Sequence, residues 1–124
     1  MPPAFPALRM RRLRQADWSR RLVRETLLTP DDLIWPLFVT AGSGVSEPIA
    51  SMPGVNRLSV DRIGAAAQEA EALGIPCVAI FPYPSAEGRT PDGREALNPD
   101  NLVCRAVHEI KARAPKVGVL CDVA

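Results

Sequence analysis

The sequence predicts an α/β fold organised on a parallel sheet. Two observations carry that expectation. Short apolar runs at about 33–39, 76–82 and 117–123 recur roughly 40 residues apart. Between them lie segments whose apolar residues fall three and four apart, the mark of a one-sided helix. Strands that are apolar throughout, alternating with such helices, imply parallel neighbours joined by right-handed crossovers. A barrel and an open doubly wound sheet fit this pattern equally. The stretch Ala41-Gly42-Ser43-Gly44 is not GxGxxG and no clear helix follows it, so nothing favours a dinucleotide fold.

Residues 1–30 read as a basic arm. Prolines at 2, 3 and 6 keep its start extended. Seven arginines follow, at 9, 11, 12, 14, 20, 21 and 24, against the single acid Asp17. A short helix from about Asp17 to Thr26 is expected, with Asp17 as N-cap. The arm has too few apolar residues for a core of its own.

Residues 31–124 carry the sheet. Leu33-Ile34-Trp35-Pro36-Leu37-Phe38-Val39 is the first strand, although Pro36 removes a ladder donor and argues against a central place. The Gly/Ser/Pro-rich stretch from Thr40 to Leu58 has room for a small hairpin. Ser59 is the expected N-cap of a helix to about Leu73, striped by Ile63, Ala66, Ala67, Ala70 and Leu73 and stopped at Gly74. The second strand follows from Pro76. After a polar loop, Asp100 is the expected cap of a second helix striped by Leu102, Val103, Ala106, Val107 and Ile110, which Pro115 ends. Val117 to Val123 is the third strand. The chain stops right after it at Ala124, with an apolar edge exposed, so a truncated chain is expected.

Composition narrows the function classes. With 47% hydrophobic and 23% charged residues and a net charge of +1, this is the profile of a soluble globular chain. No apolar run approaches the roughly 20 residues that span a bilayer, and no secretory signal opens the chain. Membrane partners are not expected, and the cytoplasm is the expected compartment. Cys77, Cys104 and Cys121 are widely spaced with no CxxC pair, which suits reduced, buried thiols better than a zinc site. The arm's arginines lack interleaved aromatics other than Trp18, so docking on a neighbouring subunit explains them better than nucleic acid or a transit peptide.

Sites in both candidate folds lie at the carboxyl ends of the strands. That singles out Thr40 to Gly44, Pro82 to Ala86, and Asp122 to Ala124. Asp122, the one charged residue in the last apolar run, is the candidate active-site carboxylate, because burying it unpaired is costly. Tyr83 and Arg89 have a possible binding role. His108 reads as a surface residue, and Glu69 and Glu71 as solvated. Lys111 lies on a helix and Lys116 at the amino end of the third strand, so neither suits Schiff-base chemistry.

Five ordered blocks resemble one family. They are Ser19-Arg20-Arg21-Leu22-Val23-Arg24-Glu25-Thr26 with Thr29-Pro30-Asp31-Asp32-Leu33-Ile34; Pro48-Ile49, Ser51-Met52-Pro53-Gly54-Val55 and Arg57-Leu58-Ser59; Leu73-Gly74-Ile75-Pro76 leading to Ile80-Phe81-Pro82; Glu95-Ala96 with Asn98-Pro99-Asp100; and Cys121-Asp122-Val123-Ala124. Together they look like the N-terminal portion of porphobilinogen synthases (5-aminolevulinate dehydratases). The resemblance implies an arm plus the first three βα units of a TIM (β/α)8 barrel, truncated. It implies a lyase that condenses two 5-aminolevulinate molecules to porphobilinogen in tetrapyrrole (haem) biosynthesis. Two Schiff-base lysines on later strands would lie beyond residue 124, so the chain alone is expected to be inactive. The arm would wrap a neighbouring subunit within a homo-octamer, with Arg11, Arg12 and Arg14 as contacts.

In zinc-dependent members a cysteine ligand stands two residues past the third-strand aspartate. Here that residue is Ala124, so the resemblance implies magnesium rather than zinc, and no metal ligand is assigned to this chain. Departures are local: Asn101 stands where the family more often has glycine, and Leu97 where an aromatic is common. Two other readings stay open, a free-standing βαβ module that binds an anion or a partner, and a non-functional truncated product.

Overall fold

A computed structural model describes residues 4–9, 11–83 and 90–122. Five strands form one sheet in the order β2-β3-β1-β4-β5: β1 (Ile34–Thr40), β2 (Ser46–Pro48), β3 (Asn56–Ser59), β4 (Cys77–Tyr83) and β5 (Gly118–Cys121). The three expected strands are β1, β4 and β5, and they pair in parallel. The connection after β1 does hold a hairpin, with β2 antiparallel to β3. Its second strand also joins the sheet, pairing in parallel with Phe38, Val39 and Thr40 of β1.

Pro36 is tolerated inside β1 for a geometric reason. Because β3 reaches only as far down as Phe38, β4 alone flanks β1 at Pro36 among the described residues. A residue with no N–H therefore sits where the strand has one open side.

Helices α2 (Val60–Ala72) and α3 (Leu102–Arg113) pack on each other and on one face of the sheet. The core joins Leu37, Val39, Val78, Ile80 and Val117 to Ile63, Ala67 and Ala70 of α2 and Ala106 and Ile110 of α3. Each fully buried isoleucine here contributes on the order of 1.5–3 kcal/mol relative to exposure. Gly64 lets the helices approach closely: a β-carbon there would lie 2.6 Å from Arg113 Cδ.

Several helix ends differ from expectation, each because another hydrogen bond wins. Asn101, not Asp100, caps α3; its side-chain oxygen accepts from Cys104 N at 2.8 Å. Asn101 thus supplies a capping side chain that glycine would lack. Ser59 occupies the N-cap position of α2, but its hydroxyl is turned to Val45, accepting from the N–H at 2.9 Å and donating to the carbonyl at 3.3 Å. Leu73 is exposed rather than part of the stripe, because the helix ends at Ala72. Gly74, at φ +76°, turns the chain so that Ile75 N–H reaches Ala70 O.

In the arm, α1 covers only Asp17–Leu22, with Ala16 at the N-cap and Asp17 in the first turn. A helix this short has little to sustain it without tertiary packing, and of the described residues up to 30 only Ser19 is buried. The first strand begins at Ile34 rather than Leu33. The preceding turn Pro30–Asp32 is closed by Asp32, which accepts from Thr29 N–H at 2.8 Å and Thr29 Oγ1 at 3.1 Å.

Candidate functional site at the carboxyl ends of the strands

Strand alternation divides the sheet into two unlike faces. Trp35, Leu37 and Val39 of β1, Val78 and Ile80 of β4, and Val119 of β5 turn toward the helices. Their neighbours Ile34, Pro36, Phe38 and Thr40 share the opposite face with Cys77, Ala79, Phe81 and Tyr83. No helix covers that second face among the described residues. Ile34 is 55% exposed there, Phe81 43%, Tyr83 50% and Leu120 53%.

The register aligns one row of this open face across four strands. Arg57 lies opposite Phe38, and Phe38 opposite Phe81. Ile80 lies opposite Cys121, the last pair of the β4–β5 ladder, and Phe81 and Asp122 are the residues that follow on each chain segment. The row reads guanidinium, ring, ring, carboxylate. The two rings stack, with centroids 5.6 Å apart and planes at 29°. Arg57 also lies over the Tyr83 ring, 4.2 Å from its centroid, and 3.9 Å from Glu47 Oε1 across the hairpin.

Asp122 is exposed and follows directly on Cys121, the last residue of β5. Tyr83 ends β4. Arg89 and Ala86 lie outside the described residues, as does Ala124. Lys116 is exposed at the amino end of β5, and Lys111 donates from α3 to Val117 O. Neither lysine is at a carboxyl end. His108 is exposed on α3, Glu69 is exposed and Glu71 half-buried.

The cysteines are free, but one differs from expectation. Cys77 and Cys104 are half-buried, whereas Cys121 is exposed on β5, the last strand of the sheet order. Partial burial, and to a lesser degree the neighbouring Cys104, still push the Cys121 thiol up. Among the described residues no three His, Cys, Asp or Glu side chains converge in a way that would hold a metal ion.

Sequence reasoning missed a polar latch beside the site. The Asp61 carboxylate accepts from Gly44 N–H at 2.9 and 3.1 Å. This ties the loop after β1 to the first turn of α2. The Ser59 hydroxyl and the Gly44 N–H hold the Asp61 carboxyl below its ordinary range. A hydroxyl has one proton, and Ser59 shares it with Val45 O, so the two Gly44 contacts are the firmer part. Gly42 and Gly44 both take positive φ, at 105° and 68°, which this tight return requires. Arg57 was missed as well. Its only sequence signal was the alternation Asn56-Arg57-Leu58-Ser59 within a stretch read as connection.

In class this is a parallel α/β unit, helices on one face and a polar-aromatic row at the strand ends on the other, as in a wall segment of a barrel. The chain belongs to the delta-aminolevulinic acid dehydratase family, whose sequence model matches residues 7–124. It is 58% identical over 118 residues to the delta-aminolevulinic acid dehydratase of Bradyrhizobium diazoefficiens, covering 95% of this chain and 33% of that protein. With the enzyme of the same name from Synechocystis it shares 42% over 118 residues, 95% of this chain and 36% of the relative. The fold superposes with a TM-score of 0.86 on the solved delta-aminolevulinic acid dehydratase (porphobilinogen synthase) of Toxoplasma gondii, in complex with the reaction product porphobilinogen. That match has 39% identity and covers 99% of this chain and 34% of the other. The chain thus spans about a third of the length of these relatives.

Proposed function

We propose that this chain forms the arm and first three βα units of a porphobilinogen synthase, which condenses two 5-aminolevulinate molecules with loss of water in tetrapyrrole biosynthesis. The observation that carries this reading is 58% identity over 118 residues to a relative bearing that activity's name. The open face supports it. A free-standing module would leave Ile34, Phe81 and Leu120 in water, whereas further strands closing a barrel would bury them.

In that reaction the carbonyl-activating amines come from later strands, since Lys111 and Lys116 are misplaced. This chain's share is to present Asp122 at the rim and to build the aromatic floor beside it. A carboxylate there is suited to accept or return protons as the carbon–carbon and carbon–nitrogen bonds form. Magnesium is proposed over zinc because Ala124 offers no donor side chain at the position where zinc-type members have a cysteine. The described residues do not assemble a metal site.

The arm is proposed to dock on a sister subunit within an octamer. Phe5, Leu13, Trp18, Leu22, Leu27 and Leu28 are all exposed. Arg11, Arg12 and Arg14 form no ion pair among the described residues. A cytoplasmic setting is proposed on the same functional grounds; no helix among the described residues is long and apolar enough to cross a membrane.

The deciding assay is porphobilinogen formation from 5-aminolevulinate by the complete protein that contains this chain. The 124-residue chain alone should form none. Borohydride trapping of substrate on Lys111 or Lys116, with product formed, would overturn the assignment of the amines to later strands.

A further inference from the structure

We propose that Arg57 is a positioning residue of this site, clamping the Tyr83 ring so that the carboxyl end of β4 keeps its place beside Asp122. The geometry gives Arg57 few other tasks. Its side chain is 22% exposed, and Glu47, its one carboxylate neighbour, is 3.9 Å away and mostly in water, where an ion pair contributes little. Among the described residues its guanidinium makes no hydrogen bond within the protein. The close contact is the Tyr83 ring at 4.2 Å, a cation over a π face.

That contact spans three strands. Arg57 starts on β3, opposite Phe38, and reaches past β1 to Tyr83, which lies opposite Thr40. The end of β4 needs such support because its penultimate residue is Pro82, which donates no ladder hydrogen bond. Hairpin β2–β3 in turn meets β1 through only three residue pairs. Loss of the clamp therefore loosens two weakly held edges together. β4 pairs with β5 as far as Ile80 and Cys121, one residue short of Phe81 and Asp122, so a displacement of β4's end is carried toward the carboxylate.

The kinetic part of this inference rests on the function proposed above; the clamp itself does not. In the complete protein, Arg57→Ala and Tyr83→Ala should each lower kcat about tenfold with KM changed less than about twofold, as expected for small misplacement of a working group. The double variant should be no worse than either single one, because both remove the same contact. Tyr83→Phe should behave as wild type. Arg57→Lys should recover activity only in part, since it keeps the charge and loses the planar stack. A defective Tyr83→Phe, a normal Tyr83→Ala, multiplying single effects, or a lower Tm at unchanged kcat would each overturn the proposal. If the wild-type protein makes no porphobilinogen, the functional reading fails and the clamp is judged by 13C-tyrosine NMR. The Tyr83 ring signal, identified by its loss in Tyr83→Phe, should move in Arg57→Ala; an unmoved signal would refute the clamp.

Discussion

The two faces of this one sheet are built from the same strands by the same alternation, yet they end in opposite conditions. Toward the helices, Val39, Val78 and Ile80 are almost wholly removed from water. One residue along each strand, the half-buried Phe38 and the exposed Phe81 stack on the uncovered face beside Arg57. Both faces are apolar enough to make a core, but the described chain supplies cover for one. The covered face does the work of stability. The open face gathers the groups suited to chemistry, at the end of the strands where sites in such folds lie.

The largest expected effect tests that division at the open face. Asp122→Asn in the complete protein should cut kcat by about 10²–10⁴-fold, the usual worth of a positioned proton-transfer group, with the unfolding midpoint little changed. Activity near wild type would remove Asp122 from the chemistry.

Next come matched truncations on the two faces. Ile80→Ala should cost this chain about 2–5 kcal/mol in denaturant unfolding, because the cavity lies in a closed core. Phe81→Ala should cost it distinctly less, roughly 1.5 kcal/mol or under, since 43% of that side chain's residue is already in water. In the complete protein the Phe81 change should rise to about 3–5 kcal/mol. Equal costs in the short chain would mean that the open face is covered there too.

A smaller effect concerns the arm. Replacing Arg11, Arg12 and Arg14 by alanine should shift sedimentation of the complete protein toward smaller assemblies while each barrel stays folded, and raised salt should act in the same direction. An unchanged sedimentation coefficient would end the docking role.

The smallest effect concerns the Asp61 latch. Its carboxyl is held below the ordinary value near 3.8, so its contribution to stability is fully present above that pH and fades as pH falls through the lowered folded value. Asp61→Asn should therefore be slightly less stable than wild type at neutral pH, with the two converging in stronger acid. A gap that persists in strong acid would point to a packing role instead.

Much of this was legible in the sequence because it depends on near neighbours. Apolar runs and three-four stripes mark strands and helices by local period, and β1, β4, β5, α2 and α3 all stand within a few residues of expectation. Asp122 was legible for the same reason, as a lone charge at the end of an apolar run. Caps were less so. Asp100 and Asn101 are both good caps, and Ser59 is a good cap that the fold uses elsewhere.

What only the tertiary structure decided is lateral. Sequence order says nothing of which residue of one strand lies beside which of the next. The row Arg57, Phe38, Phe81 and Asp122 is drawn from β3, β1, β4 and the residue after β5, spread over 85 positions from 38 to 122, and exists only once pairing sets the register. The same holds for β3, whose four residues are too few for a period and become a strand because β1 offers unpaired backbone groups at Phe38 to Thr40. Local chemistry determined the elements and their apolar faces; long-range hydrogen bonding determined which side chains meet.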